Sequence, residues 1–338
     1  MMLRENISLK PFNTFGIDVN AKYFIEISSE EELIKVLASK KNQEKFILGG
    51  GSNMLLTKDI DALILYLNIK GKEIVSQDEA SVTVRVAAGE NWHNFVLWCI
   101  ENDYGGLENL SLIPGNVGTA PIQNIGAYGV ELKDVFISCE AIHLKTLKKR
   151  TFTLSDCKFG YRDSIFKHEI KGEFVITAVN VKLSRNNHSL NTSYGAIEEF
   201  LNSNEINTPT IRDVSNAVIA IRKSKLPDPD EIGNSGSFFK NPIISASDFK
   251  KLSLKYPSVP SYKLEDGKVK VPAGWLIEQS GFKGKRYGDA GVHKNQALVL
   301  VNYGNASGSE VLKLAEKIQK TVAEKFNIHI ETEVNIIK

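Results

Sequence analysis

Two glycine-rich segments are the parts of this sequence whose residue types and spacing first point to chemistry. The first follows the apolar run at residues 46–48 and consists of Gly49, Gly50, Gly51, Ser52 and Asn53. Consecutive glycines allow positive φ angles and let backbone N–H groups approach a bulky anion, and the two polar side chains can add donors. Glycine is also the usual turn residue, so the segment by itself fits a flexible turn equally well.

The second segment spans residues 113–129 and sets its glycines among small polar and apolar residues. Its candidate ligand-contacting residues are Pro114, Gly115, Gly118, Thr119, Gln123, Asn124, Gly126, Ala127 and Tyr128. A backbone with so little side-chain bulk can wrap closely around a flat or phosphorylated ligand. A structural loop between domains is the alternative, but two such segments in one part of the chain favour a cofactor site.

The commonest nucleotide-binding motifs are absent from the sequence. Met54 stands where a dinucleotide fingerprint begun at Gly49 would have its third glycine, and residues 55–61 do not predict the helix that should follow. No phosphate loop of the GxxxxGKS or GxxxxGKT type occurs. None of the six histidines has metal-ligand spacing, so we expect no metal. A dinucleotide would have to be held by another kind of fold.

The elements that must position these segments mix strand and helix patterns throughout, which predicts an α+β fold in several layers. Strands are predicted at residues 23–27, 46–48, 62–67, 82–87, 135–144, 150–154, 173–183, 297–301 and 328–337. Helices are predicted at residues 91–101, 196–201, 211–223, 247–256, 273–280 and 309–326, and one through residues 33–37 after a capping box of Ser28 and Glu31. The Leu-Pro-Asp-Pro run at residues 226–229 ends the helix before it and predicts a domain boundary.

The composition is that of an ordinary globular protein and argues against several classes of partner. A chain of 338 residues exceeds one ordinary core, so two or three domains are expected. With 42 basic and 40 acidic residues and no block of like charge, we expect neither nucleic acid nor a membrane as partner. Three cysteines without a CxxC pair, and no signal-peptide pattern in residues 1–18, favour a soluble protein of the cytoplasm.

Four motifs in order resemble those of the UDP-N-acetylenolpyruvoylglucosamine reductase family. They are GGGSN at residues 49–53, IPGNVGTAPIQNIGAYG at 113–129, YRDS at 161–164 and GNSGSFFKNP at 233–242. The resemblance extends from FNTFG at residues 12–16 to ETEV at 331–334, and NTSYG at 191–195 looks like the tyrosine loop of the longer form of the family. Ser235 stands where the family more often has alanine.

The resemblance implies an FAD-binding fold of the vanillyl-alcohol-oxidase type followed by a C-terminal α+β substrate-binding domain. It implies FAD-binding subdomains at residues 1–68 and 69–226 and a substrate-binding domain at 227–338. The implied reaction is the NADPH-dependent reduction of UDP-N-acetylglucosamine enolpyruvate to UDP-N-acetylmuramate in bacterial peptidoglycan synthesis, through non-covalently bound FAD. We expect a monomer. The alternatives are another flavin oxidoreductase of this fold acting on a sugar or hydroxy acid, and a nucleotide-sugar-binding module that has lost its cofactor.

Three residues are the implied catalytic set: Arg162, Ser237 and Glu333. A guanidinium can bind a substrate carboxylate through two parallel hydrogen bonds, although a lone arginine is more often a surface ion pair. A serine hydroxyl is a very weak acid, so Ser237 can be a proton donor only to a strongly basic intermediate, and a turn or helix-cap serine is its ordinary role. The sequence alone leaves Glu331 and Glu333 open, and the family pattern selects Glu333 as a residue positioning Arg162 and the reacting group.

The substrate's UDP end needs ligands of its own. The resemblance implies that the substrate-binding residues are Tyr161, Tyr194, Lys225, Asn241, Lys283 and Gln296. For each of them an ordinary polar surface residue is the alternative.

Overall fold

The computed structural model describes residues 2–338, and these form two compact units built from interleaved segments. Unit 1 comprises residues 2–7, Ala21–Gly50 and Asp61–Arg222. Unit 2 comprises Ser8–Asn20, Gly51–Ile60 and Lys223–Lys338. The three-domain division at residues 68 and 226 stays a prediction.

Helices and strands alternate along the chain, as the sequence predicts. The helices are α1 (Glu30–Ser39), α2 (Trp92–Glu101), α3 (Leu154–Cys157), α4 (Gly195–Ser203), α5 (Ile211–Lys225), α6 (Ala246–Lys255), α7 (Ala273–Gln279) and α8 (Gly308–Phe326). The strands are β1 (Arg4–Ser8), β2 (Asn20–Ile27), β3 (Lys45–Leu48), β4 (Met54–Leu56), β5 (Ile60–Leu67), β6 (Lys72–Gln77), β7 (Ser81–Ala87), β8 (Gly126–Ala127), β9 (Val130–Glu131), β10 (Phe136–His143), β11 (Lys149–Thr153), β12 (Phe174–Ser184), β13 (Gly233–Ser237), β14 (Ile243–Ile244), β15 (Tyr262–Lys263), β16 (Val269–Lys270), β17 (Arg286–Tyr287), β18 (Ala290–Val292), β19 (Val299–Asn302) and β20 (Asn335–Ile337). No helix within residues 2–338 has both the length and the apolar character needed to cross a bilayer.

Unit 1 is organised around two sheets. The larger one has the order β11-β10-β12-β7-β6 and its strands pair antiparallel. On β7 the alternating Val82, Val84 and Val86 are fully buried, because successive side chains of a strand point to opposite faces and only one face lies on the core. The same core contains Trp92 and Phe95 from α2, so the apolar face of this helix packs with the sheet.

Helix α1 packs beside the second sheet, whose order is β1-β2-β5-β3. Leu33, Val36 and Leu37 lie on one face of the helix and are buried in a cluster with residues of β2 and β5. The predicted capping box is placed one residue too early. Ser29 is the N-cap and accepts from the Glu32 backbone N–H, whereas Ser28 bonds the Glu32 carboxylate from outside the helix.

Unit 2 contains the antiparallel sheet β13-β19-β18-β17 and the long helix α8. A capping box of Ser307 and Glu310 starts α8, and Asn327 in the left-handed conformation ends it. The rings of Phe15 and Phe238 form an edge-to-face pair with centroids 6.1 Å apart, and both side chains are fully buried.

The predicted strand at residues 328–337 is wrong over most of its length. Only β20 is a strand, and it pairs parallel with β4; before it, Thr332 makes an isolated bridge to Phe239. Gln319 of α8 donates to the Ile330 carbonyl at 2.8 Å, which takes up an acceptor that a continuous ladder would use. After the first glycine segment the chain enters β4, so the predicted absence of a dinucleotide-type helix there is confirmed.

Candidate active site

The two glycine segments, predicted separately, meet in unit 1. A Cβ atom added to Gly50 would lie 2.7 Å from Gly115 Cα and 3.0 Å from the Asn116 backbone nitrogen. One added to Gly49 would lie 2.6 Å from Thr119 Cγ2. Only glycine at residues 49 and 50 lets the two segments approach this closely, because a side chain at either position would overlap the second segment.

Hydrogen bonds fix the second segment to the elements around it. The Gly115 carbonyl accepts from the Trp92 N–H at 2.9 Å at the start of α2, and Gly118 N–H donates to the Ala88 carbonyl at 2.9 Å just after β7. A Cβ on Gly118 would lie 2.4 Å from that of Ala88. The segment is therefore a rigid loop rather than a flexible linker, although its composition is that of either.

Asn124 connects the second segment to a turn at residues 160–163. Its buried amide nitrogen donates to the Glu131 carboxylate at 3.0 Å and to the Gly160 carbonyl at 3.1 Å, while its side-chain oxygen accepts from Lys133 N–H at 3.0 Å. This side chain is thus engaged within the protein, and a contact between Asn124 and a ligand would fall to its backbone.

Arg162 lies at the tip of that turn. The backbones of Gly160 and Asp163 exchange hydrogen bonds of 3.1 and 3.2 Å, which leaves the two residues between them, Tyr161 and Arg162, at the end of the turn. Arg162 has φ of +54°, in the left-handed region that few residues other than glycine adopt. Its Nη2 donates to the Gly126 carbonyl at 2.7 Å. The turn therefore holds the predicted catalytic guanidinium against the second glycine segment.

Arg222 is a candidate site residue that the sequence did not single out. Its Nε donates to the Leu112 carbonyl at 3.1 Å, and its guanidinium lies beside the Tyr128 hydroxyl and close to Arg162. Burial lowers the pKa of Arg222, Tyr128 opposes this shift and Arg162 adds to it. The combined positive charge of Arg162 and Arg222 makes this region of unit 1 favourable for an anion. In the sequence, Arg222 is simply an arginine near the end of the predicted helix 211–223. Nothing there distinguishes it from a solvent-exposed helix residue.

The two tyrosines of unit 1 predicted to bind substrate are both partly exposed, 45% for Tyr161 and 46% for Tyr194. Tyr194 immediately precedes α4, and its ring meets that of Tyr128 edge to face with centroids 5.1 Å apart. Burial raises the pKa of Tyr128, so this phenol stays protonated at neutral pH. A residue predicted for the cofactor and one predicted for the substrate are thus neighbours.

In unit 2 the structure brings Ser237 and Glu333 onto adjacent backbone segments. Ser237 is the last residue of β13 and pairs with Val299, so it is neither a helix cap nor a turn serine. Glu333 N–H donates to the carbonyl of Phe238, the next residue after Ser237, at 2.8 Å. Glu331 instead forms an ion pair of 3.1 Å with Lys240, and its side chain is 77% exposed. Glu333 is partly buried, and its selection over Glu331 stays a prediction.

The end of the first glycine segment is fixed within unit 2. Gly51 has φ of +61°, and a Cβ there would lie 2.0 Å from the Phe12 carbonyl oxygen. The Asn53 carbonyl accepts from both the backbone and the side-chain nitrogen of Asn335, at 3.2 and 2.8 Å. Asn53 is therefore held by β20, which follows directly after the Glu333 region.

The remaining predicted substrate ligands lie in unit 2, where most of them have protein partners. Asn241 Oδ1 accepts from Ala273 N–H at the start of α7 (2.9 Å), Lys283 pairs with Glu278 (3.0 Å), and Gln296 Oε1 accepts from Leu298 N–H (3.3 Å). Lys225 is exposed at the end of α5. Among the described residues, no hydrogen bond or ion pair joins these four side chains to one another.

The residues present fit a flavin dinucleotide. The two close-packed glycine loops have little side-chain bulk of their own, and the cations Arg162 and Arg222 lie beside the second loop. Beside the first loop, Thr14 Oγ1 is buried and has no hydrogen-bond partner within residues 2–338. Phosphate oxygens suit the cations of unit 1, and a phosphate or carbonyl oxygen would satisfy the Thr14 hydroxyl of unit 2.

Comparisons with known proteins agree with this geometry. Residues 228–337 match the family model "UDP-N-acetylenolpyruvoylglucosamine reductase, C-terminal domain", and residues 21–145 match the model "FAD binding domain". The chain is 62% identical to UDP-N-acetylenolpyruvoylglucosamine reductase of Flavobacterium johnsoniae over 100% of both chains. It is 49% identical to the protein of that name from Amoebophilus asiaticus, again over 100% of both.

A solved structure shows the same fold. It is the crystal structure of UDP-N-acetylenolpyruvylglucosamine reductase from Thermus caldophilus, which matches 100% of both chains with a TM-score of 0.69 at 24% identity. The predicted fold class, an FAD-binding α+β fold with a C-terminal α+β domain, is confirmed. By identity over its whole length, this chain belongs to the UDP-N-acetylenolpyruvoylglucosamine reductase family.

Proposed function

We propose that the protein reduces UDP-N-acetylglucosamine enolpyruvate to UDP-N-acetylmuramate, with bound FAD as cofactor and NADPH as reductant. The observation that carries the proposal is the match to reductases of that name over the full length of the chain. The reaction belongs to peptidoglycan synthesis in the bacterial cell wall. We further propose that the enzyme works as a monomer in the cytoplasm.

Bound FAD would supply the hydride chemistry, accepting a hydride from NADPH and delivering one to C3 of the enolpyruvyl group. The protein's part is to hold the cofactor, bind the substrate and manage the charge and proton at C2. The cofactor would be held by backbone N–H groups of the two glycine loops, with side-chain donors from Ser52 and Asn53, while the Thr119 hydroxyl, which donates to the Asn116 carbonyl at 2.7 Å, could only accept. Because hydrogen bonds fix both loops before ligand binding, little ordering is needed when FAD enters.

Arg162 binds the carboxylate of the enolpyruvyl group. Negative charge develops at C2 and on this carboxylate as C3 is reduced, and a fixed cation stabilises this additional charge more than the single carboxylate charge of the ground state. The bond from Arg162 to the Gly126 carbonyl sets the orientation of the guanidinium in advance. Arg222 adds a second positive charge to the same region of unit 1.

Ser237 donates the proton that completes C2, and Glu333 positions the reacting group beside it. The C2 centre formed by hydride addition is strongly basic, so even a serine hydroxyl can protonate it, and solvent then restores the hydroxyl proton. The backbone bond between Glu333 and Phe238 keeps the carboxylate segment next to the serine strand. Tyr161, Tyr194, Lys225, Asn241, Lys283 and Gln296 bind the rest of the UDP-sugar.

The test is an anaerobic visible spectrum of the purified protein, recorded before NADPH, after NADPH, and after the enolpyruvyl UDP-sugar. We expect a flavin spectrum that bleaches with NADPH and returns when the substrate is added. A flavin that bleaches but does not return shows that the substrate is wrong. Protein that takes up no flavin after incubation with FAD overturns the proposal entirely.

A further inference from the structure

The segment at residues 9–17 forms a tight, well-fixed loop in unit 2. Asn13 is buried, and its side-chain nitrogen donates to the carbonyls of Leu9 and Ile17 at 2.7 and 2.9 Å. Its side-chain oxygen accepts from Ile17 N–H at 3.0 Å. One amide thus closes the loop on both sides, and the next residue, Thr14, is held in a defined position.

The main chain of Thr14 connects two parts of the candidate site. Its N–H donates to the Gly51 carbonyl at 3.1 Å, and its carbonyl accepts from Asn234 N–H at 2.9 Å on β13, the strand that ends in Ser237. The backbone at residues 12–14 lies so close to Gly51 that a Cβ at this glycine would also lie 2.9 Å from Asn13 Cα. Thr14 is therefore packed against the first glycine loop.

The hydroxyl of Thr14 is the unusual feature. Oγ1 is buried and has no hydrogen-bond partner in the described part of the chain. Other buried hydroxyls here are paired: Ser111 and Ser215 bond each other at 2.8 Å. A buried hydroxyl without a partner destabilises the fold unless a ligand or a water completes it.

We propose that Thr14 is a further FAD-binding residue whose hydroxyl donates a hydrogen bond to an oxygen of the cofactor. This inference rests on the proposed function, because it assumes that FAD lies on the glycine loop. The Thr14 hydroxyl, held beside Gly51, needs a hydrogen-bond acceptor. Phosphate oxygens and flavin carbonyl oxygens are both acceptors. Nothing in the sequence around this threonine distinguishes it from an exposed threonine in a loop.

The test compares FAD-free protein of the wild type with the variants Thr14→Val and Thr14→Ser, measuring FAD binding by flavin fluorescence and stability by thermal melting. Val keeps the shape and removes the hydroxyl. We expect it to weaken FAD binding about tenfold or more, while Ser stays within about threefold of the wild type. FAD-free Thr14→Val should melt no lower than the wild type, because a methyl group replaces an unpaired hydroxyl.

Thr57→Val is the matched control. Thr57 is also in unit 2, but its hydroxyl already donates to the Ile337 carbonyl at 2.8 Å. Its loss should lower the melting temperature and leave FAD affinity unchanged, the reverse of the pattern for Thr14. If Thr14→Val binds FAD within about twofold of the wild type, water satisfies the hydroxyl and the inference is wrong. If the wild type binds no FAD, the proposed function fails as well.

Discussion

Arg162 combines a strained backbone with a fixed side chain. A non-glycine residue in the left-handed region is destabilised by about 1–3 kcal/mol, and it persists only where the surroundings enforce it. Here the Gly160–Asp163 backbone pair and the Asn124 side chain enforce it. The result is a guanidinium that meets Gly126 and lies close to Arg222. At the scale of the residue, the strained backbone of Arg162 and the neighbouring positive charge of Arg222 both occur where the proposed reaction needs a cation.

Ser237→Ala should separate the two half-reactions. If the hydroxyl only protonates C2, flavin reduction by NADPH stays within about twofold, and flavin reoxidation by the enolpyruvyl UDP-sugar slows by about 10²–10⁴-fold, as expected for loss of a general acid. Stopped-flow absorbance of the flavin measures both rates. Equal loss in both half-reactions would remove Ser237 from the role of proton donor.

The two glutamates near the C-terminus offer a matched pair. Glu333→Gln should slow reoxidation by about 10²-fold, because a misplaced reacting group loses much of its rate. Glu331→Gln should leave the rate within about twofold, since Glu331 only forms an exposed ion pair with Lys240. The same stopped-flow experiment reads both variants. A larger effect at Glu331 than at Glu333 would reverse the assignment.

At the scale of elements, the contact between the two glycine loops is the feature most sensitive to substitution. Gly50→Ala places a methyl group against backbone atoms of Gly115 and Asn116 that cannot move aside easily. We expect FAD affinity to fall about tenfold or more, which corresponds to about 1.4 kcal/mol. The FAD content of purified protein and the melting temperature measure the effect.

Gly195→Ala is the control for that substitution. A Cβ on Gly195 meets nothing within 4 Å, and the residue begins α4, where alanine is the better helix former. This variant should keep its FAD and its stability within about 1 kcal/mol. Equal loss of FAD in Gly50→Ala and Gly195→Ala would mean that the loop contact has no special part in cofactor binding.

A charge network ties α1 to the larger sheet of unit 1. Arg85 donates to both carboxylate oxygens of Glu140 at 2.7 and 2.8 Å, and Lys149 pairs with Glu140 at 2.7 Å and with Glu30 of α1 at 3.0 Å. The hydrogen bonds from Arg85, then those from Lys149, lower the pKa of Glu140 to about 2. Since the folded-state pKa lies below the unfolded value near 4.3, this carboxylate stabilises the fold above that pH.

Glu140→Gln should therefore lose stability mainly at neutral pH. We expect a decrease on the order of 2–3 kcal/mol in the free energy of unfolding at pH 7, shrinking as the pH falls from about 5 towards 2. Urea unfolding at several pH values measures it. Glu169→Gln is the control, because Glu169 pairs with Lys158 in the open solvent and should change stability by less than about 1 kcal/mol. A Glu140→Gln difference that does not depend on pH would contradict the assigned pKa.

Elements with local signals were predictable from the sequence. Asn91 caps α2 and Ser307 caps α8 where the patterns placed these helices, because a cap acts within one turn. The short extent of the strand within residues 328–337 could not be predicted. The bond from Gln319 to Ile330, which interrupts the predicted strand, joins residues that only folding brings together. Likewise the motif identified Arg162, but neither its φ angle nor its neighbour Arg222 had a signal in sequence.

At the scale of the whole molecule, the sequence suggested contiguous domains and the chain forms interleaved units. Residues 54–56 pair with residues 335–337 in unit 2, a contact between distant parts of the chain that no local pattern encodes. The division between the units passes between Gly50 and Gly51, so a motif that reads as one loop contributes to both. Motif order could predict the family and fold class, whereas the path of the chain required the structure.

Binding of FAD should stabilise the folded protein as a whole, because the two glycine loops exist as a binding surface only after folding. At 100 times the dissociation constant, a ligand that binds only the folded state adds about 2.7 kcal/mol. Thermal melting of FAD-free protein should thus rise by a few degrees with FAD and keep rising with its concentration. Riboflavin at the same concentration should raise the melting temperature less, because it lacks the phosphates that the glycine loops would contact. An equal shift with riboflavin would show that the loops do not bind the diphosphate, and no shift with FAD would contradict the cofactor assignment.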